Sequence, residues 1–395
     1  MLDPRFLPPT PPEKTRIAVA MSGGVDSNMV AYLLAKAGYN VMGFTAWTLN
    51  GPGKCCNDAL VNAGRMCDTL GIQYDTVDLR AEFAHFVMDY YHDSYAAGLT
   101  PNPCVECNQH VKWERLVDYA REHWGVDYVA TGHYAQIEHN ASLPEGFRLT
   151  RAVDERKDQT YMMCRVRRED LRHALFPLGH LTKPEVVAMA REAGIPEAHS
   201  KESQDICFVL DGHAQYMKRQ FGAQPGPIVH AESGAILGEH EGCFGFTVGQ
   251  RKGIKIAANA PLYVVKVDPT TNTVYVGPEH LLQCATFTVR SPYWVQPRLG
   301  KQLQAGETLT LMTKIRYNTP PKLAQITALD EETLSVTLET PLSAVTPGQI
   351  SAFYDADFCE LFGGGYIDAF LPRPDFTEAN RAAFEARSPV EVCSV

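Results

Sequence analysis

The sequence predicts an α/β protein with three parts: an N-terminal domain on a parallel sheet, a small β-rich linker domain and a C-terminal β-barrel. Three observations lead there. Residues 16–130 alternate short apolar strands with helical periods. After about residue 210 the helical periods fade, and glycine, proline and strand-like segments take over. The 395 residues, at roughly 150 per domain, leave room for two or three domains.

Taken in order, MLDPRFLPPTPPEK lacks the basic start and apolar stretch of a secretion signal, so residues 1–13 read as a flexible, proline-rich lead-in. RIAVAM (16–21) is a buried strand. Met29, Val30, Leu33 and Leu34 recur at helical spacing over 26–37, and Gly38 stops that helix. Strands follow at 41–47, 73–79 and 126–130, with helices at 57–70, 80–95 and 112–123. These βαβ units place the first domain over 14–210. Ligands of such sheets sit beyond the carboxyl ends of the strands, here the turns after 21, 47, 79 and 130. The hairpin-rich 226–242 and the paired strands of 262–278 define a linker domain over 211–280. Strands at 307–317, 334–340 and 348–354 define a barrel over 281–370, and the weakly periodic 371–395 reads as a loosely ordered tail.

Apolar residues make up 45% of the chain and charged residues 21%. That is ordinary for a globular protein and excludes a disordered chain or a disulfide miniprotein. The longest uncharged run, 37–53, holds Asn40, Asn50, Pro52 and four glycines, too polar to span lipid, so no membrane partner is expected. Eleven cysteines without an export signal predict a cytoplasmic protein in which clustered thiols serve catalysis or metal binding. The net charge of −10 argues against a nucleic-acid partner, but residues 148–191 hold ten Lys/Arg against six Asp/Glu, a local face that can attract a polyanion.

Strand 16–21 runs straight into SGGVDS (22–27) and a helix. Gly23 and Gly24 let backbone N–H groups approach an anion, and the helix start adds unpaired N–H groups. Ser22 and Ser27 offer hydroxyls, and Asp26 can cap the helix or help to hold magnesium. No lysine follows in the Walker manner. A plain N-capped turn is the bland alternative. Further on, Cys104 and Cys107 form a CxxC in TPNPCVECN (100–108), whose prolines and asparagines predict a rigid non-helical loop. Cys207 follows in SQDICFV (203–209). A CxxC is most often a metal or redox pair, and a lone cysteine before phenylalanine is most often core. Lys112 and Lys201 lie near these thiols in sequence and would lower their pKa values if near in space. Cys67, Cys164, Cys243, Cys284, Cys359 and Cys393 read as packing or surface residues.

SGGVDS resembles the pyrophosphate (PP) loop of the ATP pyrophosphatases, which have an adenine nucleotide alpha hydrolase-like fold. With GLTPNPCVECN, ATGHYA (130–135), KDQTYMM (157–163), SQDICFV, FTVGQRKG (246–253), IRYN (315–318), PGQISAFY (347–354) and GGGYI (363–367) in order, residues 14–370 resemble the tRNA-specific 2-thiouridylases, bacterial thiolases of the wobble uridine. The resemblance implies ATP and Mg²⁺ at Ala20, Met21, Ser22, Gly23, Gly24, Val25, Asp26 and Ser27, with Ala46 and Gly132 nearby. Many relatives carry Met at the Ala46 position. It implies Cys107 as nucleophile, Cys207 as persulfide carrier, and Asn102, Pro103 and Cys104 against the target base. It also implies tRNA contacts at His133, Lys157, Asp158, Gln159, Arg316, Tyr317 and Gln349.

Many family members have Asp where Cys104 stands. A second branch carries the CxxC and third cysteine found here, a set suited to a 4Fe–4S cluster on Cys104, Cys107 and Cys207 with one open iron. A metal-free persulfide route is the alternative, and zinc at Cys55, Cys56, Cys104 and Cys107 a third. The implied reaction adenylates O2 of the wobble uridine (position 34) and delivers sulfur to C2, giving 2-thiouridine. The implied partners are the anticodon arm of tRNA and a sulfur donor such as a cysteine desulfurase or persulfide carrier. Two other classes stay open: an ATP-dependent ligase acting on a small molecule, and a non-catalytic tRNA-binding or sulfur-carrier protein.

Overall fold

The structure is a computed structural model that describes residues 2–49, 57–195 and 206–387. Cys55, Cys56, Lys201, residues 203–205 and Cys393 lie outside the described residues.

The first domain contains β1 (Arg16–Ala20), β2 (Asn40–Trp47), β3 (Gln73–Asp78), β4 (Tyr128–Thr131), the hairpin β5 (Gln136–His139) and β6 (Phe147–Thr150), and β7 (Ala174–Leu175). Five of these form a parallel sheet in the order β3-β2-β1-β4-β7. Alternate residues of β1 feed cores on opposite faces. Ile17 and Val19 pack with Met29, Val30 and Leu34 of helix Val25–Lys36, while Ala18 packs with Trp113, Leu116 and Val117 beneath the other face. Covering both faces is why these strands read as apolar runs rather than alternations. The β5–β6 hairpin escaped the sequence reading because its strands are four residues each and seven residues apart.

Four expectations change. The CxxC is helical, not a loop: a continuous helical segment runs from 103 to 124, with π-helical bonding over Cys107–Arg115. Asn102 starts it, its side chain accepting the Val105 N–H at 3.2 Å, and Pro103 occupies the first turn, where no N–H is needed. The helix expected over 80–95 runs from Arg80 to Ala96, with a π-helical stretch at Ala84–Asp89. The lead-in is not wholly loose, since Pro4–Phe6 and Pro12–Lys14 form short turns and Phe6 is buried. The tail also docks: helix Glu378–Arg387 pairs Arg381 with Glu82, and the Pro374 carbonyl meets His85 Nε2 at 2.9 Å.

In the middle of the chain, β8 (Gly226–His230), β9 (Ile236–His240), β10 (Tyr263–Asp268) and β11 (Thr273–Gly277) form a sheet ordered β10-β11-β8-β9. Strands β12 (Gln283–Trp294), β13 (Leu309–Lys314), β14 (Lys322–Ala328), β15 (Thr333–Ser343), β16 (Ile350–Tyr354) and β17 (Leu361–Ile367) close into an antiparallel barrel. The barrel docks on the first domain through a shared apolar cluster that joins Tyr161, Met163 and Val166 to Ile350, Tyr354 and Tyr366. Tyr161 Oη donates to the Ile350 carbonyl at 2.9 Å. Among the described residues no helix is long and apolar enough to cross a membrane.

Asp158 is turned inward at this junction. Its carboxylate accepts the Ala152 N–H at 3.0 Å and the Thr160 hydroxyl at 2.8 Å, beside Arg151. Asp158→Ala strands these buried donors, and denaturant unfolding is expected to show a loss of about 3 kcal/mol. A loss under about 1 kcal/mol would contradict the buried network.

Candidate functional site

Parallel pairing aligns the carboxyl ends of β1, β2 and β4 along one edge, and the site opens there. The loop after β1 is braced from within. The Ser22 N–H donates to Ser27 Oγ at 3.1 Å, and Ser27 Oγ donates to the Gly24 carbonyl at 3.1 Å. Gly23 has φ +68°, and a Cβ there would lie 2.6 Å from the Ala59 carbonyl oxygen. A Cβ on Gly132, at the end of β4, would lie 2.9 Å from the Ser27 nitrogen. Glycine at 132 therefore lets the β4 turn pack directly against the loop.

A pocket of about 400 Å³ lies on this edge. Ala20, Met21, Ser22, Asp26 and Ser27 line one side, with Ala46 and Gly132 beside them. Pro103, Cys104, Cys107 and Lys112 line another part of it, and Cys207, His133 and Gln159 complete it. The phosphate-type loop and all three singled-out cysteines thus share one cavity.

Local structure accounts for each thiol. Cys104 and Cys107 lie one turn apart at the start of helical segment 103–124. The wider i→i+5 turn over Cys107–Arg115 brings Lys112, five residues after Cys107, to the same pocket, where an α-helix of 3.6 residues per turn would rotate it away. Cys207 sits in a turn closed by Val209 N–H to the Ile206 carbonyl at 3.0 Å. Its neighbour Phe208 anchors that turn among Phe83, Tyr91 and Tyr216.

Crowding sets the electrostatics. Desolvation raises the Cys104 pKa even though the residue keeps accessible surface towards the pocket, while the Lys112 charge pulls it down. His133 is held well below the ordinary 6.5 by burial first and by Lys112 second, so its ring is neutral. Its Nδ1 lies 2.6 Å from Thr131 Oγ1, and its ring packs near Trp113 and Phe176. Among the described residues no three His, Cys, Asp or Glu side chains group to hold a metal ion.

Several predicted contact residues are engaged inside the protein. Asp158 is buried as described. Arg316 Nη2 donates to the Val248 and Ala344 carbonyls at 3.1 and 3.0 Å, tying the loop between β9 and β10 to the barrel. Gln349 Nε2 donates to the Thr100 and Pro101 carbonyls at 3.2 and 3.1 Å. Lys157 and Tyr317 are partly exposed, and Gln159 Oε1 accepts the Tyr134 N–H at 2.9 Å. Two site residues escaped the sequence reading. Lys183 Nζ lies 2.6 Å from Asp26 Oδ2, and Tyr134 Oη donates to Asp26 Oδ1 at 3.0 Å. Tyr134 was within view in TGHY. Lys183 arrives 157 residues after Asp26, at the start of helix Lys183–Glu192, and its only local signal is the Thr182/Glu185 capping box.

The neutral state of His133 has a measurable consequence. Its folded pKa lies below its unfolded value, so the unfolded chain binds the extra proton as pH falls below about 6.5, and stability falls with it. Melting temperature should drop as pH goes from 7 towards 5, and less steeply in His133→Gln. Equal slopes would contradict the assignment.

Architecture and pocket define the class first: an α/β phosphate-loop protein whose loop faces a group of thiols and whose chain continues into two β modules. Residues 15–211 match the family described as tRNA methyl transferase HUP domain, 214–278 the tRNA methyl transferase PRC-barrel domain, and 284–367 the aminomethyltransferase beta-barrel domain. A tRNA-specific 2-thiouridylase MnmA of a Synechococcus species is 40% identical over 92% of this chain and 97% of its own. That of Thermosynechococcus vestitus is 40% identical over 90% of this chain and 94% of its own. The chain belongs to the tRNA-specific 2-thiouridylase family. A solved U34-tRNA thiolase from Methanococcus maripaludis, described with its 4Fe–4S cluster, is 16% identical over 51% of this chain and 64% of its own, with a TM-score of 0.35, a likeness too slight to bear on this site.

Proposed function

We propose that this chain transfers sulfur to C2 of the wobble uridine of tRNA in an ATP-dependent reaction. The observation that carries the reading is the single cavity lined by Ser22, Asp26 and Ser27 together with Cys104, Cys107 and Cys207. Family membership supplies the substrate. The C2 oxygen of uridine is a poor leaving group, and a loop that binds pyrophosphate beside thiols is suited to correct that.

Uridine O2 attacks the α-phosphorus of ATP. The α–β bridging P–O bond breaks, and pyrophosphate leaves on the backbone N–H groups of Gly23 and Gly24 and the hydroxyls of Ser22 and Ser27. Magnesium would arrive on the phosphates, with Asp26 as the loop carboxylate beside it. A persulfide on Cys207, loaded by a desulfurase or persulfide carrier, attacks C2 through its terminal sulfur. The Cys107 thiolate then attacks Cys207 Sγ. The S–S electron pair stays with the sulfur on C2, Cys107 and Cys207 are oxidised to a disulfide, and the C2–O2 bond breaks to release AMP. A thiol reductant restores both cysteines.

Desolvation raises the Cys104 pKa against the opposing pull of the Lys112 charge, so Cys104 remains a neutral thiol. Among the described residues no three His, Cys, Asp or Glu side chains group to hold a metal ion, and the steps above use the thiols alone. The base must leave its stack to enter the cavity. Pro103 and His133 at the cavity, Asn102 at the start of the CxxC helix, and the partly exposed Lys157 and Tyr317 would meet it and its anticodon arm.

Cys107→Ala and Cys207→Ala should each abolish 2-thiouridine formation, read by nucleoside analysis of tRNA, while ATP affinity stays within about twofold of the parent protein. Near-parental thiolation by either variant removes that cysteine from the mechanism. Pyrophosphate release that tRNA fails to stimulate would favour a small-molecule ligase instead.

A further inference from the structure

The buried carboxyl group of Glu106 lies between the two cysteines of the CxxC and takes no part in the steps above. It is 3% exposed, and its Oε1 accepts a 2.8 Å hydrogen bond from Tyr366 Oη of β17, in the barrel. Burial raises the Glu106 pKa, and the charges of His110 and Arg165 oppose that shift, as does the Tyr366 bond. Arg165 lies over the Tyr366 ring at 4.4 Å and donates to the Ser291 carbonyl of the barrel at 2.7 Å. His110 Nε2 is 3.7 Å from Glu106 Oε2, and the other His110 nitrogen meets Glu114 at 3.1 Å. On the other side of the cysteines, the Thr100 N–H donates to the Pro347 carbonyl at 2.9 Å, and Gln349 holds the Thr100 and Pro101 carbonyls. The barrel therefore grips the chain just before Cys104 and again between Cys104 and Cys107.

We propose that the barrel is the positioning device for the CxxC thiols, with Tyr366 and Gln349 as its two pins. Cys104 and Cys107 occupy the first turns of a helix whose remainder is fixed by the Trp113, Leu116 and Val117 core. The first turn of a helix has few hydrogen bonds of its own and frays unless something outside holds it. Here the restraint comes from the barrel, about 260 residues downstream. A buried carboxylate is a demanding anchor, because removing its donor leaves it unsatisfied at low dielectric. Release of either pin would let Cys104 and Cys107 move relative to Cys207 and the loop, while the ATP side, built on β1, β2 and β4, stays intact. This inference rests on the proposed role of the thiols, and Tyr366, buried in the barrel, acts through them without touching substrate.

The test uses the full chain with Tyr366→Phe, Gln349→Leu and Glu106→Gln, the last keeping an oxygen that can accept the Tyr366 bond. The first readout is the iodoacetamide alkylation rate of each cysteine, by mass spectrometry, with exposed Cys359 as internal control. Tyr366→Phe and Gln349→Leu should change the rates of Cys104 and Cys107 severalfold relative to Cys359. They should lower the rate constant of sulfur transfer about tenfold and leave ATP affinity within about twofold, and Tyr366→Phe should also leave the KM for tRNA within about twofold. Glu106→Gln should remain within about threefold of the parent in both readouts. Parental thiol reactivity and parental transfer rates in both pin variants overturn the proposal, as does loss of ATP affinity in step with transfer. If the parent protein itself does not thiolate tRNA, the functional reading fails, and the alkylation comparison still decides whether the barrel holds the thiols.

Discussion

The parallel pairing of β1 with β2 on one side and β4 on the other is the constraint on which the site depends. It brings the SGGVDS turn, Ala46 and the Gly132–His133 turn to one edge of the sheet. The close packing of Gly132 on Ser27 then joins two of those turns into one wall. Any residue with a Cβ at 132 would push them apart. Other parts of the pocket are brought to that wall from elsewhere, the CxxC by a helix start and Cys207 by an aromatic-anchored turn, while Lys183 reaches Asp26 of the loop from a capped helix.

Division of labour follows from this geometry. The phosphate-type loop belongs to the rigid sheet edge, with its serines bonded to one another and its carboxylate held by Lys183 and Tyr134. The thiols sit on a helix start and on a turn, the kinds of element that local packing leaves most adjustable. A reaction with two chemical steps has reason to keep the leaving-group site fixed. In the proposed mechanism the sulfur-bearing groups, by contrast, must be reached by a donor and a reductant between turnovers. The docked barrel restrains one of those two thiol elements.

Much of this was legible in the residues, and what was missed has identifiable causes. The sheet was readable because its central strands are apolar throughout, and the loop because six residues in a strand–loop–helix setting carry the signal together. The CxxC was misread as a loop because two prolines and two asparagines are punctuation in most contexts. Here Pro103 is at the one helical position that tolerates it, and Asn102 is the cap. The tail was misread because helix Glu378–Arg387 is short and its anchors, Glu82 and His85, lie nearly three hundred residues away. Asp158, Arg316 and Gln349 came from resemblance alone. Their packing shows a part that no motif could reveal: Arg316 and Gln349 join segments remote in sequence, and Asp158 ties together the buried turn from Arg151 to Thr160. Lys183 was invisible for the same reason: its partner is set by tertiary structure.

The account stands on ATP and the thiols sharing one cavity. The most direct measurement is footprinting of cysteine alkylation with and without a non-hydrolysable ATP analogue, read residue by residue. The account predicts that the bound analogue slows modification of Cys104, Cys107 and Cys207 and leaves Cys359 unchanged. Saturating analogue that alters none of the three would contradict it.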